Sequence, residues 1–416
     1  MPRKMKDSGI PWVGQIPEDW EVTRLKNIVN RKIPQYAPNE ELLSVFLDRG
    51  VIRFIDGGTK RANVASADLS KYQLVEPGDF VLNNQQAWRG SVGVSVYRGI
   101  ISPAYLILKL QDEINTKFAN YLFRSKCLVS LYEQCSHGVG SIQRNIYWEE
   151  LRVNKIPLPH LPEQRRIADY LDKTVGRIDG LREKISREIE RLGDYKKSVI
   201  SEAVCRGLDK TAKMKDSGVF WQPQMPEGWR VTRLKYVLKK KVRYAEKNSD
   251  LLICTNKGKV TKRGDSSIGL IAKDDSIYQG VKKGDLLIHG MDTWHGAIAV
   301  SEYDGMCTPV VHVCESNEDK AFISYYLRNM AREKIFKLIS NSVRENSSDL
   351  RSWEKVGEIK IILPPKDEQL KVSQYLLNQE KKIDALIGKR KAELERLEAL
   401  KRSIICECVT GRREVA

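Results

Sequence analysis

The sequence predicts an α+β fold built twice. Two similar mixed α/β globules are each followed by one long helix, and the two helices pair as an antiparallel, pseudo-twofold coiled coil. Three observations carry this prediction. Apolar residues recur at every seventh position through Leu171, Ile178, Ile185, Leu192 and Val199. A second stripe runs through Leu376, Ile383, Leu397 and Ile404, broken by Arg390. The text of the first half then returns in the second at a nearly constant spacing. A stripe of period seven marks a helix whose seam faces another helix.

The long helices come first because they set the frame. Pro162-Glu163-Gln164 opens the first, and proline suits a first turn, where its missing N–H costs little. Gly207 follows the last apolar residue, where a helix stops readily. Charged residues such as Arg182, Glu183, Lys184, Arg187 and Glu188 fill the other faces. About 40 residues of helix reach roughly 60 Å, more than one compact domain covers. The second helix repeats these marks. Glu368-Gln369 answers Glu163-Gln164, Ile383-Asp384 answers Ile178-Asp179, and Glu395-Arg396-Leu397 answers Glu190-Arg191-Leu192. One heptad stripe alone fits a core helix in a bundle. Two matched stripes, each lying beyond a globular segment, favour an intramolecular coiled coil.

The globules repeat as well. Met5-Lys6-Asp7-Ser8-Gly9 recurs as Met214-Lys215-Asp216-Ser217-Gly218, and Val22-Thr23-Arg24-Leu25-Lys26 as Val231-Thr232-Arg233-Leu234-Lys235. Gly78-Asp79 faces Gly284-Asp285, and Trp88-Arg89-Gly90 faces Trp294-His295-Gly296. So long a repeat is a duplicated domain, not a solenoid. The expected boundaries are 1–160 for the first globule, 161–208 for its helix, 209–363 for the second globule and 364–416 for the last helix. In the first globule, 21–30 reads as a short amphipathic element. Strands follow at Leu42–Leu47, Val51–Ile55, Phe80–Leu82, Val92–Val96 and Tyr105–Leu110, punctuated by turns such as Glu76-Pro77-Gly78-Asp79. Residues 116–134 switch to helical period, and Ser136–Asn145 is a loop. The second copy runs likewise, with a helix over 319–339 and a loop over 340–352.

Composition bounds the partners. Lys and Arg number 71 against 54 acidic residues, a net charge of +17 in 416 residues. That surplus favours a polyanion partner. It clusters in Lys239-Lys240-Lys241-Val242-Arg243-Tyr244 and in Lys257-Gly258-Lys259-Val260-Thr261-Lys262-Arg263. No apolar run approaches a membrane span and no secretory segment follows Met1, so the expected location is cytoplasmic. The eight cysteines form no CxxC pair and are expected to be ordinary thiols.

Catalytic signatures are missing. The chain has no GxxxxGK[ST] phosphate loop, and Gly138-Val139-Gly140 lacks the third glycine of a dinucleotide site. The Asn-Pro-Pro-aromatic set of an adenine methyltransferase is absent. Asp349 with Glu358-Ile359-Lys360 loosely imitates a nuclease carboxylate–lysine set but reads as a strand end. The five histidines show no ligand spacing. No catalytic residue and no metal site is expected in this chain.

Four marks now combine in order and in duplicate: the Glu-Gln helix entries after Pro162 and Pro365, the Leu/Ile helices, the exits Glu202-Ala203-Val204-Cys205-Arg206-Gly207 and Glu407-Cys408-Val409-Thr410-Gly411, and the openings Pro17-Glu18-Asp19-Trp20 and Pro226-Glu227-Gly228-Trp229. With them the chain resembles the specificity subunits of Type I restriction–modification enzymes over essentially its full length. The resemblance implies two target-recognition domains, one for each half of a split double-stranded DNA sequence. It implies that the helices act as a spacer and dock two modification subunits, which hold S-adenosylmethionine and methylate adenine. Restriction subunits, motor and nuclease together, would supply the ATP- and magnesium-dependent work. No cofactor is expected in this chain.

An antiparallel rod would relate the globules by a twofold axis that matches the dyad of a duplex, giving each globule one half-site. The globules share a framework but differ at Asn83–Arg89 against His289–His295, and at Ser136–Asn145 against Asn341–Ser352. An asymmetric split target is therefore expected. Gln85, Gln86, Gln143 and Asn145 suit adenine edges, and Arg89, Arg144, Arg344 and Arg351 suit guanine. His137, His289 and His295 lie in the same loops, where a hydrogen bond to DNA is plausible. Lys32, Lys240, Lys241, Lys257, Lys259, Lys262 and Arg263 are expected to neutralise phosphates, and Tyr36 and Tyr244 to touch sugar or phosphate. Trp88 and Trp294 read as core props for their loops. Two other readings stay open: the recognition subunit of a related system that cuts on both sides of its site, and a coiled-coil scaffold that needs no DNA.

Overall fold

The computed structural model describes residues 3–33, 35–37, 39–57, 68–138, 144–246, 249–264, 277–339 and 350–415. The chain folds into two compact units, Met1–Ser186 with Lys391–Ala416, and Arg187–Arg390. This division cuts both long helices, Leu161–Arg206 and Lys366–Val409. Each unit thus holds one globule and about half of each helix.

In the first unit, four antiparallel strands stand in the order Val29–Arg31, Tyr105–Leu110, Asp79–Asn83, Val92–Val94. Alternation places successive side chains on opposite faces, and both faces are buried. Phe80, Leu82 and Leu108 join the core with the helices, whereas Val81 and Ile107 join a smaller core under the hairpin Leu43–Phe46/Gly50–Arg53. Phe80 stacks on Phe123 with ring centroids 4.2 Å apart. The helical stretch expected over 116–134 is two helices, Thr116–Arg124 and Lys126–Gln134. Ser125 separates them with extended backbone, and its hydroxyl accepts from Leu128 N, so it caps the second helix. The stretch expected as one element at 21–30 is a strand, Glu21–Arg24, paired with Lys155–Leu158, then a 3-10 turn, Leu25–Asn27, and the start of the strand Val29–Arg31.

The second unit repeats this topology. Its sheet order is Lys239–Lys240, Val311–Glu315, Leu286–His289, Ile298–Val300, and Arg230–Arg233 pairs with Lys360–Leu363. Asp319 caps the helix Lys320–Arg332 by accepting from Phe322 N. That helix stops before Lys334, whose φ of 59° is left-handed, and Ile335–Ile339 begins again beyond it.

The helix halves pair within each unit. In the first, Leu171, Ile178, Ile185 and Ile404 are buried and Leu397 packs beside them. Asp179 meets Lys401 at 2.8 Å and Arg182 meets Glu398 at 2.9 Å. In the second, Leu376 and Ile383 are buried, Leu192 and Val199 half-buried. Lys196 meets Asp384 at 2.9 Å and Glu188 meets Arg390 at 3.0 Å. In each case rising numbers on one helix meet falling numbers on the other, which is antiparallel pairing. Arg390, the break in the second stripe, spends its charge on Glu188. An exposed pair of this kind adds under about 1 kcal/mol.

Each helix entry is tied to its globule by one buried glutamine. Gln164 Nε2 donates to the carbonyls of Glu113 (2.9 Å) and Pro159 (2.8 Å), and its Oε1 accepts from Asn115 N (2.7 Å). Gln369 repeats the arrangement with Glu318 Oε2, the Pro364 carbonyl and Asp319 N. Asn115 and Asp319 are the caps of the first globular helices, so one amide orients two helices at once.

The expectation of eight ordinary thiols is corrected. Cys127 and Cys406 form a disulfide, with Cα atoms 6.7 Å apart. The start of the helix Lys126–Gln134 lies against the end of the second long helix, a neighbourhood hidden by a sequence separation of 279. The other six cysteines are free. Among the described residues no helix is long and apolar enough to cross a membrane.

Candidate nucleic-acid interface

In the first unit the strand Asp79–Asn83 runs into a short 3-10 turn, Ala87–Arg89, and Gly90 reverses the chain with a φ of +98°. A Cβ there would lie 3.3 Å from Val129 Cγ2. Trp88 sits at the turn, half-buried, and its indole N–H donates to the Gln85 carbonyl at 3.0 Å. Two guanidiniums lie over its ring: Arg89 Cζ is 4.5 Å from the centroid and Arg144 Cζ 5.1 Å. Cation–π contact holds each group without using its N–H edges. Arg144 comes from the hairpin side, next to the strand pair Ser136–His137/Asn145–Ile146. Ile146 N donates to the Asn84 carbonyl at 3.0 Å and stitches that hairpin to the turn.

The fold therefore gathers Gln85, Arg89 and Arg144 around Trp88, with His137 and Asn145 paired across the adjoining hairpin. Gln85, Arg89, His137 and Asn145 are exposed, and Gln86 is half-buried. His137 Nε2 lies 2.8 Å from Glu150 Oε2, and its ring rests against Tyr147. Trp88 is more than the core prop expected, since it carries both arginines. Gln143 lies outside the described residues.

The second unit builds the corresponding place differently. Trp294 is half-buried, and the Lys337 ammonium lies 5.5 Å from its ring centroid. His295 is exposed. His289 is largely buried, its Nδ1 accepts from Asp292 N at 3.1 Å, and desolvation lowers its pKa against the pull of Asp292. Arg351 is exposed and follows Leu350, which passes close over Gly290; Arg344 lies outside the described residues.

The basic residues divide into two sets. Lys240, Lys257 and Lys259 are exposed. Lys257 and Lys259 flank Gly258, whose φ is +70°, at the tip of the hairpin Leu252–Cys254/Val260–Lys262. Lys241 pairs with Glu315 and Lys262 with Asp250, both at 2.6 Å on the surface. Arg263 is half-buried. Tyr36 and Tyr244 are exposed, each bridging by backbone to the matching glutamine, Gln73 or Gln279. Lys32 is a correction. Its ammonium is enclosed, 2.7 Å from both Glu76 and Asp79, with only 12% of the side chain exposed. Buried beside two carboxylates, it neutralises the framework and not a phosphate.

Sequence reasoning missed one pair of residues. Arg328 Nη2 donates to the Lys257 carbonyl at 3.2 Å, and Arg124 Nη2 to the Asp48 carbonyl at 2.7 Å. Each guanidinium lies under the tip glycine of its hairpin, Gly258 or Gly50, where a Cβ would collide with it or press on it. The signal was an arginine repeated at nearly the same spacing as the glycine.

Residues 17–191 match the family described as Type I restriction modification DNA specificity domain. Two proteins of Methanocaldococcus jannaschii, one described as a putative type I restriction enzyme MjaX specificity subunit and the other as the type I restriction enzyme MjaVIII specificity subunit, are 26% and 25% identical to this chain. Each alignment covers 96% of this chain, and 95% and 94% of those proteins. Among solved structures, a chain from a study of complex assembly and conformational transition of the type I R-M system superposes with a TM-score of 0.70 at 15% identity, covering 95% of this chain and 98% of that one. The HsdS subunit from Thermoanaerobacter tengcongensis gives 0.51 at 16% identity, covering 96% and 98%. These two likenesses establish the fold.

Proposed function

Since the chain belongs to the specificity subunits of type I restriction–modification enzymes, we propose that its two units read two different half-sites of one asymmetric, split DNA target. DNA recognition is the work of this subunit. The observation that carries the asymmetry is the pair of tryptophan turns. Trp88 holds two arginines, whereas Trp294 holds a lysine and has histidines beside it. Identical turns would read a palindrome. In the first unit, Arg89 and Arg144 are held by stacking before DNA arrives, so less side-chain freedom is lost on binding. The edge of Arg89 suits guanine O6 and N7, Arg144 offers the part of its edge not turned to Glu133, which its Nη1 meets at 3.4 Å, and Gln85 and Asn145 suit adenine. In the second unit Arg351, His295 and His289 take that role. Lys240, Lys257 and Lys259 contact phosphates and set register, not sequence.

The chemistry belongs to other subunits in this reading. Modification subunits bring S-adenosylmethionine, and restriction subunits bring ATP and magnesium. Leu370, Leu377 and Leu386 leave apolar surface on the second long helix, which suits a protein partner. The subunit works where bacterial or archaeal DNA lies, in the cytoplasm.

Methylome sequencing of a host with and without this chain tests the proposal. Loss of one bipartite, non-palindromic methyladenine motif is the expected result. Unchanged methylation at every motif would refute it.

A further inference from the structure

His312 is buried, with 1% of its surface exposed, in the strand Val311–Glu315 of the second unit. Its Nε2 lies 2.9 Å from the Leu350 carbonyl oxygen. A carbonyl oxygen only accepts, so Nε2 carries the hydrogen and donates. Nδ1 has no partner among the described residues, which fits the lone pair of a neutral ring and not a second N–H. The neutral ring is thus the one that fits this place.

The same few residues are tightly fitted from below. A Cβ on Gly290 would lie 2.9 Å from the Leu350 carbonyl oxygen and 3.0 Å from Arg351 Cα. Gly290 N itself donates to the Val310 carbonyl at 2.8 Å. Leu350 is buried at 4% exposure, while Arg351, the next residue, is exposed. Trp353 packs its ring against the imidazole with centroids 5.6 Å apart. Among the described residues the first unit has no such device. Strand registers place Leu106 where His312 stands, opposite Leu82 as His312 is opposite Ile288. There a main-chain bond, Ile146 N to the Asn84 carbonyl, joins hairpin to turn instead.

We propose that His312 is a positioning residue for DNA reading by the second unit: its Nε2–H fixes the Leu350 carbonyl over Gly290 and so presents Arg351 to a base edge. This rests on the DNA-reading role argued above. It adds a residue that touches no DNA yet sets specificity in one unit only. The groups facing the imidazole are Lys240 from the first strand of the sheet, His289 from the neighbouring strand, and Glu354 from the helix Trp353–Glu358. Burial, Lys240 and His289 oppose a proton on the ring, and the Leu350 carbonyl and Glu354 favour one. Desolvation is the largest influence and the pKa lies below the usual histidine value of 6.5. Protonation would put an unpartnered N–H on Nδ1 and loosen the seat.

The test uses the full chain assembled with its modification subunits, on duplexes carrying the methylome-defined target. Binding is compared between the intact duplex and two others, one scrambled in each half-site. Wild type is expected to discriminate at both. His312→Leu, which copies Leu106, should lower discrimination at the second unit's half-site up to about tenfold, the size of one buried hydrogen bond, and leave the other half-site unchanged. His312→Gln retains an amide donor and should keep most of it. Wild-type discrimination at that half-site should fall more steeply than that of His312→Gln as the pH drops below 6.5, any contribution of the other histidines being common to both. Arg351→Ala should reproduce the loss, and His312→Leu should add nothing to it. The inference is overturned if His312→Leu or Arg351→Ala preserves discrimination, or if both half-sites weaken together. Should His312→Leu fail to fold, the pH profiles of wild type and His312→Gln decide alone, and equal profiles overturn it. A wild-type protein that discriminates at neither half-site refutes the DNA-reading role itself, a different outcome.

Discussion

Gln164→Met is the perturbation that weighs most on the fold. Methionine keeps the length and nearly the volume of glutamine, so packing around the side chain is little changed. The hydrogen bonds are lost. In the native unit Gln164 is fully buried and serves three main-chain groups: the carbonyls of Glu113 and Pro159 and the N–H of Asn115. A buried polar group left without a partner costs about 1–3 kcal/mol. Of the three bonds only that to Pro159 is fully buried, so the low end applies to each and the sum is at most about 3 kcal/mol. For a unit of roughly 200 residues each kcal/mol shifts the midpoint by about 2–4 °C, so a fall of at most about 6–12 °C is expected in calorimetry. Gln369→Met should lower the midpoint of the second unit too, where the Pro364 carbonyl and Asp319 N lose their partner, though by less, because the Glu318 carboxylate keeps Arg230. A shift under about 2 °C for both variants would refute the reasoning, because it would mean that water or a local shift satisfies all three groups.

Other expectations follow from the interface and the core. Arg89→Ala should cost roughly 1–3 kcal/mol at one base position of one half-site, read by competition with single-base variants; equal weakening on every duplex would count against direct readout. Lys257→Ala with Lys259→Ala should lower the slope of log affinity against log salt by about two, near one per phosphate. Lys32→Ala should leave that slope unchanged and lower stability instead, because its ammonium sits between Glu76 and Asp79; a flatter slope for Lys32→Ala would restore it to the phosphate set. Unfolded without reductant, the chain should show six reactive thiols, and eight after reduction, and Cys127→Ser should remove the effect of reductant on thermal stability. Eight thiols before reduction would exclude the disulfide.

What was legible in the sequence was local or periodic. The seams through Leu171, Ile178 and Ile185 and through Leu376 and Ile383 were visible because burial on a paired helix repeats every seven residues. Duplication made each reading count twice. What stayed hidden depends on residues meeting across long stretches of chain. Lys32 looked like a surface cation because charge runs say nothing of the Glu76 and Asp79 that enclose it. Gln164 was recognised as a mark of the helix entry, yet nothing in its spacing showed that it bonds to the cap of another helix. Ser125 divided a continuous helical pattern because its side chain offered the backbone a better local bond.

The same reasoning separates the framework from the specificity of the two units. Where both copies use equivalent atoms, the role is architectural: Gln164 and Gln369, or Arg124 and Arg328 under their glycine turns. Of the places where equivalent positions diverge, the one beside the candidate base-reading residues is the junction of the tryptophan turn with the segment that returns to it. The first copy closes that junction with a main-chain bond and two stacked arginines. The second closes it with the His312 imidazole donating to the Leu350 carbonyl, which lies over Gly290. Duplicated chains under one structural demand keep the atoms that meet it, and a junction rebuilt in one copy alone answers a demand the other copy does not face. On the proposed reading, in which each unit takes one half-site, that demand is a different set of bases.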